Sequence, residues 1–498
     1  MVRNILNKYY SCLINNKKFI LLYILFICFF IVAMFTPENY KNPTFEIGAI
    51  IFIVIIGSFL ILYAFRNKNN IHNVAFVTIL FFGLLMVIFT PPFVFPDEGV
   101  HFLRPEYITE GILLPKASSS GYLVQDYFFV FNTNGFGTTF IKDPSFFNPI
   151  TDSMGYWPTT TQTPFYAHIF SAIGIFIAKL FDLTAIGALW LARLGNLIFY
   201  ALIARFAIKK VTTYKIPLFL MACIPLLISQ VSSVSYDAFI LTLGILMVAY
   251  FIYMYTNKVE NKDLLIFFIC CLLISIIKPV YLILLFLVFF IPSKNFKSKN
   301  YKFSMIIPVV IIIILCILFT IGVIPGLGNS AVNISPNSNH NPIKQLNFLL
   351  SNPLNLLNFF VFCTKSFIGL AITDLSYFHF ADYKGIKFFN LLYFIFFFAF
   401  SILYPIKIKL PRIKRIFLIF GFIVFYYSMF FVIYLSWVNI GADPYLLAQP
   451  RYFVPLMPLI PLAINYPFKT IKNIDSYVIT FIIIFLAGLF LLPITHYY

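Results

Sequence analysis

Residues 96–111 read PDEGVHFLRPEYITEG, a dense set of reactive side chains in a chain with few charges. Asp97, His101, Arg104 and Ile108 follow one another at steps of four, three and four, which places them on one face of a helix. Glu98 sits about a quarter turn away. A carboxylate can take a proton from a hydroxyl in general-base catalysis. A guanidinium can grip two oxygens of a phosphate or carboxylate. Pro96 is suited to begin a helix, and Asp97 and Glu98 would favour its positive end. The same residues could therefore do no more than stabilise a helix start.

Three further clusters share this polar character. Asp237 follows QVSSVSY, Lys278 precedes Pro279, and Gln449, Arg451 and Tyr452 stand in AQPRYF. Ionisable groups near a membrane are costly and mark function by default. Asp97, Glu98 and His101 are also a mixed oxygen and nitrogen set of the kind that holds Mn²⁺ or Zn²⁺. Adjacent acids point different ways on a helix, so no metal ligand is assigned, and a divalent cation is the one cofactor left open.

The elements that position these residues are membrane helices. The chain has 498 residues, 61% hydrophobic and 10% charged, against about a quarter charged in soluble proteins. Apolar runs long enough to span a bilayer recur from end to end. The fold class is an all-α polytopic membrane protein. The net charge of +18 comes from short basic clusters between apolar runs, as the positive-inside rule expects of cytoplasmic loops. That pattern excludes nucleic acid as a partner and leaves the lipid bilayer. The seven cysteines form no CxxC pair and no disulfide framework. The basic head and apolar run at the N-terminus read as an uncleaved signal anchor.

Threading the basic clusters to the inside predicts about 13 crossings, with the N-terminus cytoplasmic. Segment 1–92 carries the first membrane helices, and 93–184 is a first external loop with the acidic motif. Within it, 164–181 is expected to lie along the outer surface as an interfacial helix. Segment 185–321 holds central helices, with a hinge at Lys278-Pro279. Segment 322–386 is a second external loop, also with interfacial helices, and 387–498 closes the chain in the membrane. The first loop holds eight of the seventeen acids, as an outside loop should. In this threading Asp97, Asp237, Lys278 and Arg451 all open on the outer side. Deep charges are few; Arg193 is the main exception, and either pairs with a residue of the first loop or snorkels outward.

An acidic motif just after an early membrane helix resembles the GT-C class of integral-membrane glycosyltransferases. More narrowly, FPDEGVHFLRPEYITEG, SSVSYDAFI, KPVYLILLFLVFFIP, QLNFLLSNPLNLL and QPRYFVPLMPLIPLA resemble a family of bacterial GT-C-like membrane proteins. Its marks are a PDE-x-x-H-F-x-R motif and a QGRYFLPLLPL motif near the end. Pro450 stands here where that family has Gly. TPFYAHIF, at 163–170, is similar to the Pro-Pro-Leu-Tyr-Tyr segment of GT-C enzymes, with Pro164 alone present.

The resemblance implies a GT-C-like fold with two large external loops. It implies a transferase that moves a sugar from a polyprenyl-phosphate-linked donor to a glycan or lipid acceptor outside the cytoplasmic membrane. Asp97 would be the catalytic acid-motif residue, with Glu98 its alternate or a positioning group. His101, Arg104, Asp237, Lys278, Gln449, Arg451 and Tyr452 would bind substrate, the basic ones at the lipid phosphate. Two other readings stand beside it. A surface-polysaccharide polymerase or ligase would carry an arginine-rich second loop, and 322–386 has no arginine. A lipid-linked glycan transporter or flippase would place more charge at mid-membrane and show internal repeats.

Overall fold

A computed structural model describes residues 2–34, 43–116, 118, 120–125, 127–133, 137–150, 154–157, 163–320, 341–369, 387–445, 448–465 and 471–498. The chain opens with α1 (Val2–Met34), α2 (Pro43–Arg66) and α3 (Ile71–Phe89), then the short α4 (Glu98–Thr109). A two-stranded antiparallel sheet follows, β1 (Tyr122–Gln125) against β2 (Met154–Trp157), with α5 (Tyr127–Thr133) between them. This sheet, within the first loop, is a departure from an all-α chain. Next come α6 (Ile169–Leu180), α7 (Ala185–Lys210), α8 (Lys215–Ala222), α9 (Pro225–Val231), α10 (Tyr236–Thr256) and α11 (Asn261–Ile277). Then come α12 (Leu287–Phe290), α13 (Lys299–Phe303) and α14 (Ile306–Thr320). The rest are α15 (Pro342–Ser351), α16 (Pro353–Gly369), α17 (Lys387–Leu403), α18 (Arg412–Trp437), α19 (Ile460–Ile464) and α20 (Ile474–Tyr497).

Among the described residues, eight helices are long and apolar enough to cross a membrane, or nine if a bent pair counts as one span. Thirteen crossings are not confirmed among the described residues; four further apolar helices are shorter. Proline accounts for much of the difference. Among the central helices, the apolar run at 215–233 breaks at Pro225 into α8 and α9, because proline lacks the amide the next turn needs. The 280–292 segment is mostly a 3-10 turn after Pro279, and Pro455 and Pro458 hold 454–459 in the same tight form. α11 has 17 residues and α17 has 17. In the second loop, α15 and α16 meet at a bend of 107°. Its GLGNSAVNISPNSNHNP tract lies mostly outside the described residues.

The segment expected along the surface behaves differently. α6 lies lengthwise and antiparallel against α7. A Cβ on Gly174 would overlap the Leu191 carbonyl, and one on Gly195 would overlap the Phe170 carbonyl. Only glycine lets two backbones approach so closely. Ile173, Phe176, Ile177 and Leu180 stay exposed on the other side of α6.

Contacts sort the helix ends into two groups. At one end, Lys68 Nζ donates to Ser476 Oγ at 2.6 Å, Arg205 Nε to Asn73 Oδ1 at 2.9 Å, and Lys210 Nζ to Asp263 Oδ1 at 2.9 Å. Lys258 and Lys302 cap carbonyls of Lys294 and Ile291, and Arg415 caps that of Ala463. The basic clusters thus gather together. At the opposite end, Tyr498 stacks on Phe45 and touches Phe89 and Phe140. The C-terminal ends of α3 and α11 and the N-terminal ends of α7 and α10 also lie here, beneath α4.

Candidate functional site

The entry to α4 is built around a buried ion pair. Arg193, two turns into α7, donates from Nε to Glu98 Oε1 at 2.8 Å and from Nη2 to Oε2 at 2.6 Å. Its remaining hydrogens reach the carbonyls of Val87, Thr90 and Pro91, which are the unsatisfied end of α3 and the turn beyond it. Both Arg193 and Glu98 are fully buried. Each Glu98 oxygen also accepts a backbone amide, from Val234 at 3.0 Å and Phe93 at 3.1 Å. Arg193 therefore pairs with the first loop and does not snorkel. Glu98 therefore has no oxygen to spare for proton transfer or for a metal. Among the described residues no group of three His, Cys, Asp or Glu side chains could hold a metal ion.

Clamping Glu98 fixes the turn before it. Phe93 and Asp97 both take the left-handed conformation, with φ of 60° and 61°. That conformation is costly for a bulky residue and more tolerable for aspartate. α4 then begins at Glu98, and Asp97 precedes it without capping it. The Asp97 carboxylate turns instead to Arg451, whose Nη2 pairs with Oδ2. The Asp97 side chain remains 48% exposed, while that of Arg451 is 3% exposed.

Arg451 is shared. Its Nε lies 2.7 Å from Asp237 Oδ2, a charge contact rather than an aligned hydrogen bond. Lys278 Nζ donates to Asp237 Oδ1 at 2.7 Å. The result is a row of alternating charge: Asp97, Arg451, Asp237, Lys278. Four distant stretches supply it, because α4, α10, the end of α11 and the 450–452 turn meet at this end. Tyr452 lies under Lys278, with Nζ 3.6 Å from the ring centre, a favourable cation–π placement. Its carbonyl accepts from Tyr281 at 2.7 Å. Burial lowers the Lys278 ammonium to about 8, offset in part by Asp237. Gln449 begins the 450–452 turn, with Oε1 buried and without a partner among the described residues.

His101 and Arg104 face the same side of α4 but reach different partners. His101 Nδ1 lies 2.9 Å from Ser235 Oγ, and Ser235 in turn accepts from the amide of Asp237. Burial lowers the His101 imidazole to about 4, against the pull of Asp97 and Asp237, so it is neutral near pH 7. Arg104 donates from Nε to the Thr163 carbonyl at 3.1 Å. The charged row thus unites Asp97, Asp237, Lys278 and Arg451, with Tyr452 against it and His101 beside it.

Sequence reasoning missed Ser235, Tyr236 and His168. Tyr236 packs on His101 at 4.5 Å between ring centres, and His168 lies 6.3 Å from His101. Tyr236 was adjacent to Asp237 in SSVSYDAFI, and His168 lay inside TPFYAHIF. Neither stretch had a spacing that tied it to α4.

Searches among curated proteins and among solved structures return no match. One family profile, described as "Predicted membrane protein (DUF2142)", matches residues 144–460. The match spans Arg193, Asp237, Lys278 and Arg451, and begins after the Asp97 stretch. It covers more than half of the chain, which therefore belongs to the DUF2142 family of membrane proteins.

Proposed function

We propose that the protein is a GT-C-type glycosyltransferase. It would move a sugar from a polyprenyl-phosphate-linked donor to a glycan or lipid acceptor of the cell envelope, on the outer face of the cytoplasmic membrane. One observation carries the reading: Asp97 forgoes its helix cap and stands half-exposed in a left-handed turn, tied to a buried arginine shared with Asp237 and Lys278. Strained, ordered charge of this kind clusters at active sites.

The chemistry follows from the row of charges. An acceptor hydroxyl loses its proton to Asp97 as its oxygen bonds to the anomeric carbon. The bond from that carbon to the lipid phosphate breaks, and the phosphate keeps the electron pair. Arg451 and Lys278 are placed to receive its charge. A phosphate arriving at Arg451 competes with Asp97 for the guanidinium, which frees the carboxylate to act as base when donor is bound. His101, buried and neutral, positions Ser235 and the start of α10. The sidedness rests on the basic ends lying opposite the site, read through the positive-inside rule.

The test is reconstitution of the full chain in vesicles with radiolabelled polyprenyl-phosphate sugars and envelope extract as acceptor. Label should move to the acceptor and polyprenyl phosphate should be released. Transport of intact donor across the bilayer, with no cleavage, would replace this reading with the flippase one.

A further inference from the structure

Every other buried cation at this end of the molecule has a carboxylate. Arg193 has Glu98, Arg451 has Asp97 and Asp237, and Lys278 has Asp237. Arg104 has none. It is fully buried, and among the described residues its single hydrogen bond leaves from Nε while Nη1 and Nη2 meet no acceptor. A guanidinium cannot shed its proton to escape burial, and an uncompensated buried charge is strongly unfavourable. Beside it, His168 is 1% exposed, with Nε2 2.8 Å from Thr163 Oγ1 and Nδ1 without a partner among the described residues. Two unused amino groups of a planar fork and an unused imidazole nitrogen make up the donor set of an oxyanion site.

We infer that Arg104, with His168 beside it, receives an oxyanion, and that the acceptor in the proposed transfer is itself acidic, bearing a phosphate or a carboxylate. The word acceptor rests on the transferase reading; the site rests on the geometry alone. Arg104 lies seven residues from Asp97, about 10 Å along the helix. That is too far for the phosphate held by Arg451 and Lys278 to be shared. The rings of His101, Tyr236 and His168 connect the two places. A sugar-bearing acceptor whose hydroxyl sits at Asp97 would lay its anionic group at Arg104.

The test uses the purified full chain in lipid nanodiscs at constant ionic strength. Thermal stability is followed while inorganic phosphate, or separately acetate, replaces chloride. Wild type, Arg104→Gln, Arg104→Lys and Arg451→Gln are compared, with Lys278→Gln in place of Arg451→Gln if that variant does not fold. The expected result has three parts. One anion raises the melting temperature of wild type, and still does so in Arg451→Gln. Arg104→Gln is at least as stable as wild type without anion. Its apparent anion affinity falls roughly tenfold or more, the effect of losing charge-assisted hydrogen bonds, with Arg104→Lys between. Response to phosphate points to a phosphate-bearing acceptor, and response to acetate to a carboxylate-bearing one.

The inference is overturned if neither anion acts on wild type. It is also overturned if Arg104→Gln is less stable but responds normally, which makes Arg104 structural, or if only Arg451→Gln loses the response. A failed glycosyl-transfer assay with the Arg104-dependent response intact would sink the transferase reading and leave the site standing.

Discussion

Replacing Arg193 with methionine is the sharpest test of how the site is held. The substitution keeps much of the apolar stem and removes the charge. Glu98 then stays fully buried with two backbone amides and no cation, and the carbonyls of Val87, Thr90 and Pro91 lose their donor. Breaking one side of a buried pair costs about 3–5 kcal/mol. Each buried acceptor left without a partner adds roughly 1 kcal/mol or more. The expected loss is therefore about 4 kcal/mol or more, large for a single substitution. The assay is reversible unfolding in mixed micelles, read as a double-mutant cycle with Glu98→Leu. Arg193→Met with Glu98→Leu should cost about 2 kcal/mol less than the sum of the two singles, since the orphaned charge is gone. A loss under about 1 kcal/mol for Arg193→Met, or additivity within about 0.5 kcal/mol, would refute the account of Glu98 as the clamp that fixes the Asp97 turn.

Three other outcomes follow from the same structure. Burial raises the Glu106 carboxyl from 4.5 to about 7, with Lys179 opposing; the folded state then holds a proton that the unfolded state releases between those values. Stability should accordingly fall as pH rises from about 4.5 to 7, by about 3 kcal/mol. Glu106→Gln should flatten the pH profile of thermal unfolding over that range; an unchanged slope would count against it. Gly195→Ala should push α6 off α7 and cost about 1–3 kcal/mol, seen as a lower melting temperature. In the proposed reaction, donor use should weaken above about pH 8 as Lys278 loses its proton, and Lys278→Arg should move that limit upward.

Much of this arrangement is legible in the sequence because it is local. The 3.6-residue period puts His101 and Arg104 along one helix, although Asp97, expected on the same face, stands in a left-handed turn just before it, and the basic clusters tell which helix ends lie together. All eight long spans coincide with apolar runs read from the sequence. What is not legible is pairing across distance. Glu98 and Arg193 are 95 positions apart, and Asp97 and Arg451 are 354 apart; no period links them. The resemblance makes Glu98 look like a second candidate acid, and its burial and saturated oxygens set it apart from Asp97. Proline-rich segments mislead in another way. Around Pro279 and Pro455 the hydropathy is that of a span, while the backbone tightens into 3-10 turns. The close fit of α6 on α7 depends on two glycines whose role is invisible until the helices are placed.

If Asp97 does the chemistry proposed for it, the loss shows most plainly in cells. The gene is deleted, then restored as wild type or as Asp97→Asn at matched membrane levels, and the sugar composition of the surface glycans is determined. Asparagine keeps the shape and can still bond Arg451, so the fold should hold. The account predicts that one sugar disappears in the deletion, returns with wild type and stays absent with Asp97→Asn. Full restoration by Asp97→Asn would contradict it, and would make the Asp97–Arg451 pair a structural tie at the start of α4.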